Sequence, residues 1–183
     1  MAENDYALVA YLPGPLGDFV EGLRHHFDPS LGDWLAHVTI LPPRPLATPL
    51  EKSLETIRKR CAMVEPFEAV IEGVSTFWPV SGVVYLSLSR GFERLVQLHD
   101  TLNCDGLAHQ EVHLYVPHVT IAQDLDEART QAVLADVAGE WSQYDKDPSF
   151  RIASLSLVQH TPENRWVDLA PVSLGGLLTA SRT

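Results

Sequence analysis

The sequence predicts an α+β fold of two similar halves, with mostly antiparallel sheets flanked by helices and a central cleft between the halves. Two observations lead to this prediction. Apolar residues follow strand spacing and helix spacing in the same order twice along the chain. The tetrapeptide His-Val-Thr-Ile also occurs twice, at 37–40 and 118–121, at the corresponding place in each half. We therefore expect a single bilobal domain over residues 1–183, since no long linker separates the halves.

The first half contains five predicted elements. An apolar strand ends at Pro13-Gly14-Pro15, and apolar residues three and four apart then indicate a helix. Pro42-Pro43 is expected to end the strand that carries the first His-Val-Thr-Ile. Thr48 and Glu51 have the spacing of a capping box at the start of the second helix. The elements are a strand over 6–12, a helix over 16–27, a strand over 35–41, a helix over 48–63 and a strand over 67–77.

The same order begins again at residue 83. Asp124 or Asp126 is expected to cap the second helix of this half. The last two strands are predicted to form a hairpin joined by Thr161-Pro162-Glu163-Asn164. The elements are a strand over 83–89, a helix over 92–102, a strand over 114–123, a helix over 126–144 and strands over 150–160 and 165–172.

Composition excludes several classes of protein. No apolar run approaches the ~20 residues that a membrane helix needs. Residues 1–5 are acidic and lack the basic and apolar regions of a signal peptide. Cys61 and Cys104 form neither a disulfide framework nor a zinc-binding spacing. The sequence therefore indicates a cytoplasmic protein.

The charge balance restricts the choice of ligand. The formal net charge is −11 with the histidines neutral. Broad binding of long nucleic acid needs a large basic surface, so the sequence argues against it. A short phosphorylated ligand held by a few groups in a pocket is compatible with this charge. No feature of the sequence specifies an oligomeric state.

The repeated motif brings together the groups needed to transfer a phosphoryl group. Side chains alternate along a strand, so His37 and Thr39 share one face, as do His118 and Thr120. An imidazole has an ordinary pKa near ~6.5, so one histidine can remove a proton from the attacking oxygen while the other protonates the leaving oxygen. The threonine hydroxyls can donate hydrogen bonds to the non-bridging oxygens. Such a site requires neither a metal nor another cofactor, and the motif does not show which histidine is the base.

The position of the motif distinguishes it from a chance repeat. An exact four-residue repeat arises in roughly one chain in ten of this length. A lone His beside a Thr on a strand is usually solvated or hydrogen-bonded within the fold. Two copies at matching places in a duplicated pattern therefore indicate a shared site more strongly than either copy alone.

The two His-x-Thr motifs, 81 residues apart, resemble those of the 2H phosphoesterase superfamily, which includes RNA 2′,5′-ligases and RNA cyclic phosphodiesterases. The resemblance is strongest at residues 36–41 and 117–122. Residues 77–79, followed by 83–86, look like the central hairpin of that family. The resemblance implies a bilobal fold with a pseudo-dyad and one motif in each lobe.

The resemblance also implies roles for the motif residues. His37 and His118 would be the acid–base pair, and Thr39 and Thr120 would bind the phosphate. Many members of the family carry a basic residue just after the second motif, but here that residue is Gln123, which brings no charge. This departure, with the acidic net charge, favours a small cyclic phosphate over a long RNA.

Further substrate contacts are expected from residues near the motifs. After the first motif, the nearest basic residue is Arg44, which is expected to reach the phosphate or to be solvated. Trp78 is expected either to stack on a base or to pack in the core. The other candidates are Gln123, Tyr85 and Tyr115.

Four of the six histidines outside the motifs have other expected places. His99 is predicted at the surface or boundary of its helix, and His160 is a candidate to approach the cleft. His109 and His113 are four residues apart, but the short segment before Pro117 indicates a polar loop and no metal site.

Three functions remain open on the sequence. The first is metal-independent hydrolysis of a 2′,3′-cyclic phosphate or a similar small cyclic phosphodiester. The second is RNA 2′,5′-ligation, the reverse chemistry, with an RNA end as substrate. The third is non-catalytic binding of a phosphorylated ligand or a protein partner.

Overall fold

Strands and helices alternate along the chain in a computed structural model that describes residues 5–31, 34–162 and 165–176. The α+β class and the antiparallel sheets are confirmed. Short 3₁₀ turns occupy Pro29–Leu31 and Asp105–Leu107. The elements are β1 (Tyr6–Tyr11), α1 (Gly14–Phe27), β2 (His37–Arg44), α2 (Leu50–Cys61), β3 (Phe67–Thr76), β4 (Val84–Leu88), α3 (Phe92–Leu102), β5 (His118–Ala122), α4 (Glu127–Ser142), β6 (Ser149–Ile152), β7 (Ser154–His160) and β8 (Trp166–Ser173).

The strands form two antiparallel four-stranded sheets that exchange strands between the halves. The first sheet has the order β2-β1-β7-β8, and the second has the order β5-β4-β3-β6. Strand β3 follows α2 in the first half of the chain but pairs with β4 in the second sheet. Strand β7 follows α4 in the second half but pairs with β1 in the first sheet. This reciprocal exchange holds the two lobes together as a pseudo-symmetric pair.

The two motif strands lie at equivalent edges of the sheets. Among the described strands, β2 pairs only with β1 and β5 pairs only with β4. Strands β2 and β5 contact each other where the sheets meet. Tyr11 stands opposite His37 in the first ladder, and Ser87 stands opposite His118 in the second. The topology therefore brings the two motifs to one junction.

The apolar residues of both motifs anchor these strands in the core. Val38, Ile40, Val119 and Ile121 are fully buried and belong to one apolar cluster that draws residues from both sheets. Because side chains alternate along a strand, burying these four turns the histidines and threonines to the opposite face. The apolar residues of each motif thus anchor the strand in the core, and its His and Thr side chains lie on the other face.

Of three predicted element ends, two differ from the structure and one is confirmed. Pro42-Pro43 does not end β2, which continues to Arg44, because an edge strand tolerates residues without an N–H. Thr48 does not cap α2, since its Oγ1 lies 2.8 Å from Ser53 Oγ and Pro49 occupies the cap position. The capping of α4 by Asp126 is confirmed, with Oδ1 accepting a hydrogen bond from the Arg129 amide.

The predicted strand over 150–160 is divided in two. It breaks at Ala153, so that β6 pairs with β3 in the second sheet while β7 pairs with β1 and β8 in the first. The β7–β8 hairpin is present, although Glu163 and Asn164 of its predicted turn lie outside the described residues. Alanine is neither a turn residue nor a strand breaker, so the sequence carries no signal for the division.

Two findings bear on compartment and membrane association. Cys61 and Cys104 are both free thiols. Among the helices of the described ranges, none combines the length and the apolar character needed to span a bilayer.

Candidate active site

The two motif imidazoles are held in the same way. His37 Nδ1 lies 2.6 Å from the Leu35 carbonyl oxygen, and His118 Nδ1 lies 2.7 Å from the Val116 carbonyl oxygen. A carbonyl oxygen can only accept, so each Nδ1 carries its proton and donates it. The neutral rings therefore leave Nε2 with a lone pair for proton transfer. Each histidine bonds to the residue two positions earlier, so the two lobes repeat this arrangement.

Both histidines have lowered pKa values. Burial lowers the pKa of His37 to about 4; its hydrogen bond to Leu35 opposes this, whereas the charges of Arg24 and His118 add to it. Burial also lowers the pKa of His118, against the opposing effect of the Val116 carbonyl. The charge of His118 is among the causes that lower the pKa of His37, so the two imidazoles lie close enough to interact. Both are neutral at pH 7 in the unliganded protein.

Aromatic side chains enclose each imidazole. The ring centroid of His37 lies 4.0 Å from that of Trp34 and 6.3 Å, edge-on, from that of Tyr11. The His118 ring is 4.9 Å from Phe77, also edge-on, and 5.2 Å from Tyr85. These contacts restrict ring rotation and exclude water, which explains the loss of hydration behind the lowered pKa values.

The motif threonines present unengaged hydroxyls. Thr39 and Thr120 are half-buried, each two residues beyond its histidine on the same strand face. Within the described ranges, neither hydroxyl hydrogen-bonds to another residue of the protein. Both can therefore donate to an anion that sits between the motif strands.

Arg44 serves the fold. Its side chain is fully buried, and its guanidinium donates to the Pro42 and Leu107 carbonyls, to Asn103 Oδ1 and to the Glu111 carboxylate. Arg44 was expected to be solvated or to reach the phosphate, but it is buried, and four of its five N–H donors bind other groups of the protein. We do not include Arg44 in the proposed site.

Tyr115 links the segment before the second motif to the first motif strand. Its phenol donates a 2.7 Å hydrogen bond to the Thr39 carbonyl oxygen, and its ring stacks on His99 at 4.0 Å. Burial raises the pKa of Tyr115, so the phenol stays protonated. The surface or boundary position predicted for His99 is wrong, because His99 is buried and its Nδ1 donates to the Ile40 carbonyl at 2.8 Å. His99 lies on the inner face of α3, which packs against β2.

Of the other residues predicted to contact substrate, some pack against neighbouring side chains and one lines a cavity. Tyr85 is buried, stacks on Phe77 at 4.2 Å and touches the His118 ring. Trp78 is half-buried in the turn between β3 and β4. Gln123 immediately follows β5 and lines a cavity, while its amide donates to Asp28 Oδ2 at 3.0 Å.

A cavity of about 620 Å³ opens beside His37. Two of its wall residues, Tyr11 and Trp34, are the aromatic residues that contact the His37 ring. Trp166 stacks on Trp34 at 4.6 Å with the rings 12° from parallel, and His160 packs against Trp166 at 5.0 Å. The remaining described wall residues are Ser30, Leu31, Leu35, Gln123, Arg165 and Asp168.

Tyr11 is fixed by the far strand of the first sheet. Its phenol donates a 2.9 Å hydrogen bond to Asp168 Oδ1 on β8. Burial and the Asp168 carboxylate raise the pKa of Tyr11 to about 12. Tyr11 is therefore a neutral wall between the cavity and His37.

The sequence analysis missed Arg24, Trp34 and Trp166. Arg24 lies on the buried stripe of α1 between Leu23 and Phe27, and a cation among apolar positions was a usable signal. No local pattern pairs Trp34 with Trp166, since they come together through β1 and β7. Within the ranges that the structure describes, no cluster of His, Cys, Asp and Glu is placed to hold a metal ion.

Comparison with solved structures supports the same fold. The chain matches Escherichia coli LigT complexed with 3′-AMP with a TM-score of 0.63 and 18% identity, covering 93% of this chain and 98% of that one. It matches TT0787 of Thermus thermophilus with a TM-score of 0.59 and 16% identity, covering 94% and 98%. At this identity, the likeness shows the fold alone.

Sequence relatives and a family model give the family. A Bacillus pumilus protein named "Putative phosphoesterase" is 30% identical over 131 residues, 70% of this chain and 75% of its own length. A Geobacillus protein with a name of the same form is 25% identical over 179 residues, 93% of this chain and 96% of its own length. The model of the 2′-5′ RNA ligase superfamily matches residues 12–164, which include both His-x-Thr motifs. The chain therefore belongs to the 2′-5′ RNA ligase superfamily, the 2H phosphoesterases.

Proposed function

We propose that the protein hydrolyses a 2′,3′-cyclic phosphate or a similar small cyclic phosphodiester, without a metal, by general acid–base catalysis from two histidines. The phosphoesterase class rests on the family and the relatives. One observation supports the two-histidine mechanism. Each lobe fixes its imidazole through Nδ1, and among the described residues Nε2 and a threonine hydroxyl have no hydrogen-bond partner. His37, His118, Thr39 and Thr120 form this proposed site.

The proposed reaction needs one neutral and one protonated histidine. The neutral Nε2 accepts a proton from water as the water oxygen bonds to phosphorus. The protonated Nε2 of the other histidine gives its proton to the leaving ribose oxygen as the P–O bond breaks. The products are a phosphomonoester and a free hydroxyl, and the charge has passed from one imidazole to the other.

Each threonine hydroxyl can donate to a non-bridging oxygen, where negative charge accumulates in the transition state. Because the histidines move the protons and the hydroxyls bind the charge, the scheme requires no metal. A phosphate anion between the imidazoles also favours imidazolium. Substrate binding is thus expected to raise the lowered pKa of the histidine pair and to supply the acid.

The cavity offers a place for the group attached to the phosphate. It lies against the residues that contact His37, and two tryptophan side chains, Trp34 and Trp166, form part of its wall. A nucleobase has the shape and π surface for such a wall. LigT, a structural neighbour, is known in complexes with 3′-AMP and with phosphate. The proposed substrate is therefore small and carries a planar group.

Turnover in the presence of a chelator tests this proposal. Purified protein with EDTA is incubated with the four 2′,3′-cyclic mononucleotides and with cyclic phosphates that lack a base, and the products are resolved by chromatography. We expect opening to a single phosphomonoester regioisomer, and no opening by a His37→Gln, His118→Gln double variant. Lack of turnover across this panel would overturn the proposal.

Ligation and binding are distinguished in the same assay. RNA ends bearing a 2′,3′-cyclic phosphate and a 5′-hydroxyl are offered together, and joined product would indicate 2′,5′-ligation by the same residues run in reverse. Ligand binding without turnover, unchanged in the double variant, would indicate a non-catalytic module.

A further inference from the structure

Arg24 is a buried cation without a hydrogen-bond partner among the described residues. It lies on the inner face of α1 and is only 4% exposed. Its charge interacts with those of Glu21 and Asp28, and burial lowers its pKa. Arg44 is equally buried but donates to four groups of the protein. Burying a guanidinium without acceptors is costly, so the contrast points to an acceptor that is not part of the chain.

The acidic neighbours of Arg24 accept hydrogen bonds from backbone amides next to the motif strands. Glu21 Oε1 accepts a 3.1 Å hydrogen bond from the amide of Ala36, which precedes His37. Asp28 Oδ2 accepts from the amide of Gln123, which follows the second motif strand. Asp28 Oδ1 accepts from both the amide and the hydroxyl of Ser30. The two carboxylates therefore bind backbone amides, and Arg24 is the member of this face with unengaged donors.

These hydrogen bonds place one face of α1 at both motifs. Glu21, Arg24 and Asp28 are three and four residues apart, so they lie along one side of the helix and its C-cap. The first carboxylate reaches the residue before His37, the last reaches the residue after β5, and Arg24 lies between them. Helix α1 also contacts β5 directly. Arg24 thus lies behind the junction where the motif strands meet, and its charge acts on His37.

We propose that Arg24 binds the phosphate group of the substrate and supplies the positive charge that Gln123 does not provide. This inference rests on the proposed function and names a further binding residue for it. Guanidinium offers five donors in a planar fork that suits two oxygens of a phosphate. In the free protein the same charge disfavours protonation of His37. A bound anion would neutralise that charge, so binding and protonation of the acid would be coupled.

Inorganic phosphate is the probe, because its binding does not require turnover. Binding is followed through the imidazole NMR signals of His37 and His118 in the parent, in Arg24→Gln and in Arg24→Lys. We expect Arg24→Gln to weaken phosphate binding by at least about tenfold, the scale of one lost charge-assisted contact. Arg24→Lys should weaken it about three- to tenfold, since lysine keeps the charge without the fork. The pKa of His37 in the free protein should also rise in Arg24→Gln, because the charge that lowers it is gone.

Arg44→Gln is the matched control, because it also removes a buried arginine. It should lower the melting temperature and leave phosphate affinity within about twofold of the parent. A folded Arg24→Gln that binds phosphate within about twofold of the parent would overturn the inference. If that variant does not fold, Arg24→Lys decides by the same criterion, and a parent that binds no phosphate also overturns it. A parent that binds phosphate through Arg24 but opens no cyclic phosphate would refute the proposed function alone.

Discussion

At the scale of the residue, the proposed site depends on a proton at Nδ1 of each motif histidine. The Leu35 and Val116 carbonyls hold that proton, so in both lobes Nε2 keeps the lone pair that the proposed reaction needs. The imidazoles are thus oriented before substrate arrives, which limits the reorganisation needed in the transition state.

Replacing either motif histidine should remove most of the activity. His37→Ala and His118→Ala are each expected to lower kcat by ~10²–10⁴-fold, the usual contribution of one acid–base group. His25→Ala is a matched control, because His25 is exposed on the outer side of α1. Its kcat for opening of a 2′,3′-cyclic nucleotide should equal that of the parent. A motif variant that retained a tenth of the parent kcat would contradict the assigned roles.

The lowered pKa values predict an acidic optimum for kcat/KM. The active free form has one imidazolium and one imidazole. Its population is largest between the two macroscopic pKa values of the pair and falls at pH values outside that range. The pKa of His37 is lowered to about 4 and that of His118 below 6.5, so the maximum should lie between about pH 4 and 6.5. The kcat profile should lie at higher pH, because the bound anion raises both values.

Rates measured at constant ionic strength, with reassay at pH 6.5 to check for inactivation, give this profile. Arg24→Gln should move the kcat/KM maximum upward, since the charge that opposes imidazolium is gone. A parent maximum above pH 7.5 would show that the histidines are not desolvated in the free protein.

At the scale of the element, sequence patterns predicted local structure well and pairings poorly. The α3 bounds follow directly from apolar spacing, and the motif strands follow from alternation. The division at Ala153 was missed because sheet membership depends on partners distant in sequence. The burial of Arg24 on the apolar stripe of α1 could have been noticed in the sequence, but its proposed role depends on the backbone amides that its neighbours bind, which no helical pattern contains.

Tyr115 makes a hydrogen bond between elements, and its contribution to the free energy of unfolding can be measured. Its phenol crosses from the segment before β5 to the Thr39 carbonyl of β2, tying the two motif strands together. Tyr115→Phe leaves the stacking on His99 but removes this bond, so we expect the free energy of unfolding to fall by about 1 kcal/mol. Tyr144→Phe is the control, because the Tyr144 phenol reaches only an exposed carbonyl at 3.5 Å. Urea denaturation of both variants measures the difference, and equal losses would deny Tyr115 its linking role.

At the scale of the whole molecule, the outer strand β8 makes the surroundings of the two motif histidines unlike. The two histidine environments are alike in backbone hydrogen bonding but differ in their aromatic walls. A cavity of about 620 Å³ adjoins the His37 side, where β8 adds Trp166 to its wall. In the proposed function, the two motifs would therefore supply equivalent proton-transfer groups, and the outer strand would provide a one-sided place for the rest of the substrate.

This asymmetry predicts that Trp166 discriminates between substrates and leaves the chemical step unchanged. Base stacking on an aromatic side chain contributes about 1–3 kcal/mol, so Trp166→Ala should raise KM for 2′,3′-cyclic nucleotides roughly 5- to 150-fold with little change in kcat. A cyclic phosphate without a base should show no such change. Trp141→Ala is the matched control, because Trp141 is also half-buried, packs against Phe19 and Tyr144 and does not line the cavity. Equal losses for both kinds of substrate would show that Trp166 supports His37 through Trp34 and does not contact a base.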